Sequence, residues 1–168
     1  MCIYTIIDRM RSTPATAEST SLNACTCFKL RRLTRRVTAV YDRALSAAGM
    51  RVTQYSLLAQ VRRLGNASIS QLADALDMDR TTLTRNLKPV LDAGWVAVST
   101  SVDDARIRIV RITRSGDAQL RAARVYWRRA QAEVDATIQA ADVTGLHEVL
   151  DRCLPLFRPA VGAEGESE

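Results

Sequence analysis

Threonines and basic residues alternate with leucines at helical spacing between residues 80 and 91. At 100° per residue the apolar side chains gather on one side, and Thr81, Thr82, Arg85 and Lys88 face the other way, with Thr84 on the flank. Arginine donates two hydrogen bonds to guanine, and threonine offers its hydroxyl to bases or phosphates and its methyl to thymine. An ordinary amphipathic surface helix would also carry acidic residues, and none lies between positions 80 and 90. The pattern favours a helix that reads the major groove of DNA.

A second cluster of charged residues follows about twenty positions later in a predicted turn. Arg106 suits the narrow minor groove, where negative potential is concentrated, and Asp104 can orient its guanidinium through a bidentate pair. Arg108, two residues further along the predicted strand, can meet a phosphate. A solvated turn with a surface ion pair explains these residues better when they are considered alone. Their position directly after a helix-turn-helix favours a DNA-contacting wing.

Thiol chemistry is the third candidate. Cys25 and Cys27 lie at the start of a predicted helix, near Lys29, and both features favour the reactive thiolate. The alternative is a pair of small, half-buried residues that simply pack at an interface. A metal site is not expected, because C-x-C is not the usual zinc spacing and His147 is the only histidine.

Apolar periodicity and capping residues predict the elements that must hold these side chains. Helices are predicted at about 23–48, from a Thr53 cap to Gly65, after the capping box Ser68 and Gln71, and at 80–93 after Asp79. Residues 95–98 and 106–112 predict a two-stranded hairpin turned at Asp103 and Asp104. Thr113 caps a helix at 114–140, and Asp142 caps a last one that continues to about Leu154 and is closed by Pro155 and Pro159.

The two short helices around residues 77–79 have the lengths, and the turn and capping residues between them, that are typical of a helix-turn-helix. The predicted fold is therefore mainly α with a small β-hairpin wing: a winged helix-turn-helix lobe (51–113) flanked by long dimerisation helices (22–50 and 114–158). Residues 1–21 are expected to form a flexible arm and residues 159–168 an acidic flexible tail.

Composition limits the function classes. The chain has 168 residues, 47% hydrophobic and 25% charged, which is typical of one globular domain. Its net charge of +6 suits a polyanionic partner. No apolar run is long enough to span a bilayer and no convincing signal peptide is present, so a cytoplasmic protein with four reduced cysteines is expected.

Five segments together resemble the MarR family of bacterial regulators: 70–76 (SQLADAL), 79–85 (DRTTLTR), 91–96 (LDAGWV), 103–106 (DDAR) and 112–116 (ITRSG). The resemblance covers about residues 23–154. It implies a winged-helix dimer in which the first helix and the last two form the interface. It also implies that the helix holding residues 81–88 enters the major groove and that Arg106 is the wing arginine.

Apolar side chains on the last two predicted helices support dimerisation, because one small lobe cannot cover them all. They are Val125, Trp127, Val134, Ile138, Val143, Leu146, Val149, Leu150, Cys153 and Leu154. A homodimer would place two recognition helices about one DNA turn apart, on a palindromic operator. A monomer that packs this helical layer onto its own lobe is the alternative.

The family also implies two modes of control. In its peroxide-sensing branch a cysteine precedes phenylalanine at the start of the first helix, and Cys27-Phe28 is similar, as is Tyr41. Two further tyrosines of that branch are replaced here, by Arg31 and Val52. Other members bind small aromatic or phenolic ligands between the dimer helices and the winged lobe, which the resemblance allows here.

Three classes of function follow from these features. A sequence-specific DNA-binding regulator, most often a repressor in this family, agrees with the basic recognition face. A thiol peroxidase centred on Cys27 lacks an acid–base partner nearby in the sequence. A winged helix that binds only protein would be expected to carry an apolar or acidic face. The sequence thus predicts a regulator without enzymatic activity or cofactor.

Overall fold

The computed structural model describes residues 22–157, so the predicted arm at 1–21 and acidic tail at 159–168 lie outside the described residues. The chain divides into two compact units, Met1–Ala39 and Val40–Glu168. The helices are α1 (Thr26–Leu45), α2 (Val52–Leu64), α3 (Ile69–Ala75), α4 (Arg80–Asp92), α5 (Arg114–Ile138) and α6 (Ala140–Cys153). The strands are β1 (Ala67–Ser68), β2 (Val96–Thr100) and β3 (Arg108–Ile112). The predicted order of the six helices and the hairpin is confirmed, and β1 is an additional element.

The described part of the first unit, residues 22–39, is helical. A 3-10 turn at Leu22–Ala24 precedes α1, and the Cys25 amide donates to the Leu22 carbonyl at 3.2 Å. The Arg32 guanidinium lies 5.4 Å from the centre of the Phe28 ring, in a cation–π contact. The basic side chains of this segment, Lys29, Arg31, Arg32, Arg35 and Arg36, are all exposed.

Two predicted helix caps are wrong. α2 begins one residue before Thr53, and its first amides are satisfied elsewhere: Arg51 N donates to Gln54 Oε1 and Val52 N to Asp42 Oδ1, both at 2.8 Å. α6 begins at Ala140, so Asp142 lies inside its first turn and donates its amide to the Gln139 carbonyl. Gln139 itself has a positive φ of 72°, which separates α5 from α6.

The sheet has three strands in the order β1-β3-β2, one more than predicted. β1 pairs with β3 through Ala67 opposite Val110, and β2 pairs with β3 from Val96 opposite Ile112 to Thr100 opposite Arg108. β1 has only two residues, and Ser68 also caps α3, so no alternation exists from which a strand could be recognised. This strand ties the start of the helix-turn-helix to the hairpin.

The core of the second unit lies where α2, α3 and α4 meet the sheet and the first half of α5. Its largest fully buried side chains are Leu45, Leu57, Leu58, Leu72, Leu83, Val61, Val90 and Val110. α4 contributes Leu83, Leu87 and Val90, three of the four apolar residues predicted for its inner side. The fourth, Leu91, is 37% exposed, so its predicted burial is wrong. Burial of this stripe fixes which side of α4 faces outward.

Candidate nucleic-acid interface

The turn between α3 and α4 sets the angle at which α4 leaves the core. Asp77 adopts a left-handed conformation with φ of 48°, and the Met78 amide donates to the Ala73 carbonyl at 3.0 Å. At the other end of α3, the predicted capping box is present: Gln71 N donates to Ser68 Oγ at 3.1 Å, and Ser68 N to Gln71 Oε1 at 2.9 Å. Both ends of α3 are thus closed by specific hydrogen bonds.

Asp79 caps α4, as predicted, and uses both carboxylate oxygens on one residue. Thr82 N donates to Oδ1 at 2.8 Å, and Thr82 Oγ1 donates to Oδ2 at 2.6 Å. These two hydrogen bonds, the hydroxyl's being the stronger cause, hold the pKa of the Asp79 carboxyl below its usual value. The Asp79 carboxylate therefore stays ionised at the start of the outward face.

Thr81, Thr82, Thr84, Arg85 and Lys88 are all exposed on α4. Thr84 Oγ1 donates to the Arg80 carbonyl at 2.7 Å, one helical turn back. The Arg85 guanidinium has no hydrogen bond or ion pair to any of residues 22–157, so its donors are available. The predicted face is present, but two of its threonine hydroxyls already serve the helix itself.

Lys88 differs from Arg85 because it has an acidic neighbour that the sequence interpretation did not consider. Its Nζ lies 2.9 Å from Asp92 Oδ2, four residues on along α4. The pair is exposed, so it is weak and screened by salt. It nevertheless compensates the Lys88 charge at the C-terminal end of the face.

Sequence analysis also missed the role of Arg80. Its Nη2 donates to Ser70 Oγ at 2.6 Å and so joins the first turn of α3 to the first turn of α4. The hint was available, since a basic residue directly after an N-cap is unfavourable for the helix dipole and needs another reason. The contact braces the two helices beside the outward face.

The hairpin loop (residues 101–107) joins β2 to β3. Its backbone is closed by Ser101 N to Ile107 O at 2.8 Å and Ile107 N to Asp104 O at 3.0 Å. Asp104 Oδ1 accepts the Arg106 amide at 2.8 Å. The predicted bidentate pair between the Asp104 and Arg106 side chains is absent, because this carboxylate stabilises the turn instead. Within the described chain, the Arg106 guanidinium contacts no hydrogen-bond acceptor.

Arg106 and Ile107 were predicted to open the second strand, but β3 begins at Arg108. Arg106 therefore belongs to the loop and does not share a strand face with Arg108. Arg108 lies opposite Thr100 in the register, and its guanidinium donates to the Thr100 hydroxyl. Arg108 thus stabilises the base of the loop as an exposed cation on the strand.

The root of the hairpin is tied to the end of α4 and the start of α5. Thr113 Oγ1 donates to the Gly94 carbonyl at 2.7 Å and accepts from Gly116 N at 3.0 Å, which confirms Thr113 as the cap of α5. Gly116 packs so closely on the backbone of Trp95, the residue before β2, that a Cβ there would lie 1.9 Å from the Trp95 carbonyl oxygen. This junction fixes the hairpin relative to α4.

The candidate redox residues belong to different units: Cys25 and Cys27 to the first and Tyr41 to the second. Cys25 and Cys27 are exposed, not half-buried, in the single chain. Tyr41 is half-buried in the second unit, where its hydroxyl donates to Gln131 Oε1 and its ring lies 6.3 Å from that of Trp127. Burial, with a smaller effect of Asp135, raises the pKa of Tyr41. The Tyr41 hydroxyl proton is therefore held in a hydrogen bond to Gln131 on α5.

A groove of about 470 Å³ lies between α2 and α5. Tyr55 stacks on Trp127 at its wall, with ring centres 5.7 Å apart and planes 11° apart. Arg62, which also lines the groove, pairs with Asp117 at 3.2 Å, whereas Arg124 has no partner among residues 22–157. Burial raises the pKa of Tyr55, and Arg124 and Arg128 oppose that shift. The groove combines an aromatic wall with positive charge.

No group of histidine, cysteine or acidic side chains within residues 22–157 could hold a metal ion. In the same range, no helix has the length and hydropathy needed to cross a membrane.

Comparisons with known proteins place this geometry in a family. The model of the MarR family matches residues 50–107. A solved Mycobacterium tuberculosis transcriptional regulator, MosR in complex with DNA, is 36% identical, with a TM-score of 0.64 over 77% of this chain and 98% of that chain. A comparison with curated protein sequences found no match.

More distant structures share the fold. A mutant MarR from Escherichia coli complexed with operator DNA is 21% identical, with a TM-score of 0.72 over 85% of this chain and 100% of that chain. BpsR from Bordetella bronchiseptica, in a structure on the regulation of its DNA binding by 6-hydroxynicotinic acid, is 18% identical, with a TM-score of 0.72 over 79% and 95%. The fold, the order of the motifs and the MosR match confirm the resemblance: the chain belongs to the MarR family of winged helix-turn-helix, DNA-binding transcription regulators.

Proposed function

We propose that this protein is a homodimeric, cytoplasmic repressor that binds a palindromic operator in double-stranded DNA. The observation that carries the proposal is the outward face of α4. It presents Thr81, Arg85 and Lys88 in line and is opposed by the buried stripe Leu83, Leu87 and Val90. A rigid helix with a basic, hydrogen-bonding outer face suits the major groove.

Within this proposal, Arg85 is the main base-reading residue. Its guanidinium has no hydrogen bond or ion pair within residues 22–157, and a bidentate arginine contact is the commonest way to recognise guanine. Lys88 serves as a phosphate contact that must first exchange Asp92 for DNA. Thr82 and Thr84 lie on the two flanks of the same face.

The hairpin loop provides the second contact. Arg106 is exposed at the loop and has no ion pair with any described residue, so it can enter a minor groove or meet phosphates on either side of it. Asp104 contributes by holding the turn, and Arg108 by adding positive charge next to it. Most of the affinity from this region is electrostatic and independent of sequence.

Exposed apolar side chains support the homodimer. In the second unit, Val125 on α5 and Val149 on α6 are exposed, and Leu156 and Phe157 beyond α6 are 77% and 82% exposed. In the first unit, Leu30 and Leu33 are exposed on α1. Trp127, which the sequence assigned to the dimer surface, instead stacks on Tyr55 within its own chain. Association of two copies through residues 22–50 and 114–158 would bury the remaining side chains.

The groove between α2 and α5 is proposed as the site of a small aromatic effector with an acidic group. The Tyr55–Trp127 stack supplies a flat apolar wall, and Arg124 supplies charge for a carboxylate or phenolate. Arg62 lines the same groove but is already paired with Asp117. The volume of about 470 Å³ lies within the usual range for small-molecule sites. Occupancy would press on α2, which packs directly against α4.

Control by thiol oxidation is a second candidate, favoured by the exposure of Cys25 and Cys27. In that scheme the Cys27 thiolate attacks an organic hydroperoxide, which leaves as the alcohol, and the thiol becomes a sulfenic acid. One stoichiometric oxidation that changes DNA affinity would support a sensor. Sustained peroxide turnover would instead indicate a thiol peroxidase.

Selection of bound genomic fragments at two salt concentrations tests the proposal. A recurring palindrome upstream of a small set of genes is expected, with affinity that falls steeply as salt rises. Repression then requires that loss of the protein raises transcription of those genes. Weak binding to all fragments at low salt, with no recurring sequence, would contradict operator recognition.

A further inference from the structure

The threonines of α4 differ in what their hydroxyl groups already do. Thr82 Oγ1 donates to Asp79 Oδ2 at 2.6 Å, and Thr84 Oγ1 donates to the Arg80 carbonyl at 2.7 Å. The Thr81 hydroxyl has no hydrogen-bond partner anywhere in residues 22–157. A threonine hydroxyl carries a single proton, so Thr82 and Thr84 have none left to donate to another molecule.

The helix geometry makes the same distinction independently. At 100° per residue, Arg85 and Lys88 lie within about 40° of Thr81, in the middle of the outward face. Thr84 lies about 60° to one side of Thr81 and Thr82 about 100° to the other. The buried residues Leu83, Leu87 and Val90 lie opposite this line. The threonine with a free proton is therefore also the one aimed most directly outward.

We infer that Thr81 is the threonine of α4 that donates a hydrogen bond to the operator, whereas the hydroxyls of Thr82 and Thr84 fix the start of the helix. The inference rests on the proposed operator binding. The ligand group is an acceptor on DNA: a purine N7, a guanine O6, a thymine O4 or a phosphate oxygen. Thr82 and Thr84 can still offer a methyl group or an oxygen acceptor at the edges of the contact.

Valine substitutions test the assignment, because valine keeps the branched shape of threonine and replaces its hydroxyl with a methyl. Thr81→Val is expected to weaken binding to the selected operator about fivefold to tenfold, the usual effect of one lost hydrogen bond. Thr82→Val and Thr84→Val should each change affinity by less than about twofold. Thr82→Val should also lower the urea midpoint of unfolding, because it loses a capping contact, whereas Thr81→Val should not.

Chemically modified operators test the same hydrogen bond from the side of the DNA. Each modified duplex removes one acceptor: 7-deazapurine removes N7, 2-aminopurine in place of guanine removes O6, 5-methyl-2-pyrimidinone in place of thymine removes O4, and a methylphosphonate removes one phosphate oxygen. At one position, such a change should weaken the wild type but not Thr81→Val any further, and that position identifies the acceptor. Unchanged affinity in Thr81→Val, or an equal loss in Thr84→Val at an unchanged urea midpoint, would overturn the assignment while leaving operator binding intact. If the wild-type protein selected no sequence at all, the proposed function itself would fail, and the inference with it.

Discussion

α4 and the hairpin loop are the two candidate DNA-contacting regions, and they hold their basic residues in different ways. α4 is anchored by three buried side chains and orders its first turn with Asp79, Thr82, Thr84 and Arg80. The hairpin loop is held by its own backbone and by Asp104, and Val102 beside it is 97% exposed. α4 is fixed along its length by side chains buried in the core. The hairpin loop is fixed only by hydrogen bonds within the loop and at its base.

This difference suggests a division of labour. Recognition of individual bases needs donors held within a few tenths of an ångström, which a helix seated on a core provides. Electrostatic contact with phosphates tolerates motion, because it depends on charge near the groove and not on one geometry. We therefore expect α4 to determine which sequence is bound and the hairpin loop to determine how tightly any sequence is bound.

Gly116→Ala should have the largest effect, because it breaks the junction that relates the two regions. The new Cβ would lie 1.9 Å from the Trp95 carbonyl oxygen, so backbone must move on one side. The free energy of unfolding should fall by at least about 3 kcal/mol. Urea unfolding followed by circular dichroism measures the loss.

Gly145→Ala is the matched control for that substitution. Gly145 lies inside α6 with nothing within 4 Å of the Cβ position, so alanine should raise the free energy of unfolding by about 0.5–1 kcal/mol. Equal stability of the two variants would mean that the contact between Gly116 and the Trp95 backbone is not tight. The hairpin would then have no fixed orientation relative to α4.

Arg85→Ala should have the second largest effect. It should reduce the ability of the protein to distinguish its operator from other DNA sequences. Loss of a bidentate base contact should weaken operator binding about tenfold to a hundredfold, with little change on a scrambled duplex. Lys88→Ala is the control on the same face, and its effect should be smaller because Asp92 already compensates that charge. Fluorescence anisotropy on both duplexes measures the ratio. Equal losses of affinity on operator and scrambled DNA would show that α4 does not recognise bases through Arg85.

Arg106→Ala should act on all sequences alike. Affinity should fall about fivefold on operator and scrambled DNA, and the slope of log affinity against log salt should decrease by about 0.9 for one lost phosphate contact. Arg106→Lys keeps the charge and should restore most of the slope. A loss confined to the operator would show that the hairpin loop reads sequence, and the division of labour would be wrong.

The sequence predicted the periodic parts of this molecule well. Three of the four residues predicted for the buried stripe of α4 were confirmed, as were its Asp79 cap, the capping box at Ser68 and Gln71, and the Thr113 cap. All of these features follow from local patterns. Local rules sufficed because each of these features involves residues within one or two helical turns of one another. The outward direction of α4 could be derived in the same way.

The sequence could not predict features that depend on tertiary pairing. β1 has no periodicity of its own and exists because β3 lies beside it. Thr53 is a reasonable cap by type, but Asp42 reaches the amide of Val52 from the preceding helix. Asp104 could serve either the Arg106 guanidinium or the Arg106 amide, and only the folded loop shows that it serves the amide. The hydroxyls of Thr82 and Thr84 bond within their own helical turn, and the folded helix shows which rotamer each side chain adopts.

Asp79→Ala should have the smallest effect, visible as pH dependence. Hydrogen bonds from Thr82 hold the pKa of Asp79 below its unfolded value, so its contribution to stability is fully present above that unfolded value and is lost as pH falls through the folded pKa. At neutral pH the thermal unfolding midpoint of the variant should lie a few degrees below that of the wild type. This difference in midpoint should shrink towards about pH 3. Glu148→Ala, an exposed position on α6, controls for general charge effects. A gap that stayed constant with pH would mean that the ionised Asp79 carboxylate does not hold the first turn of α4. The rigid start that separates α4 from the hairpin loop would then need another cause, and the brace from Arg80 to Ser70 would be the first to test.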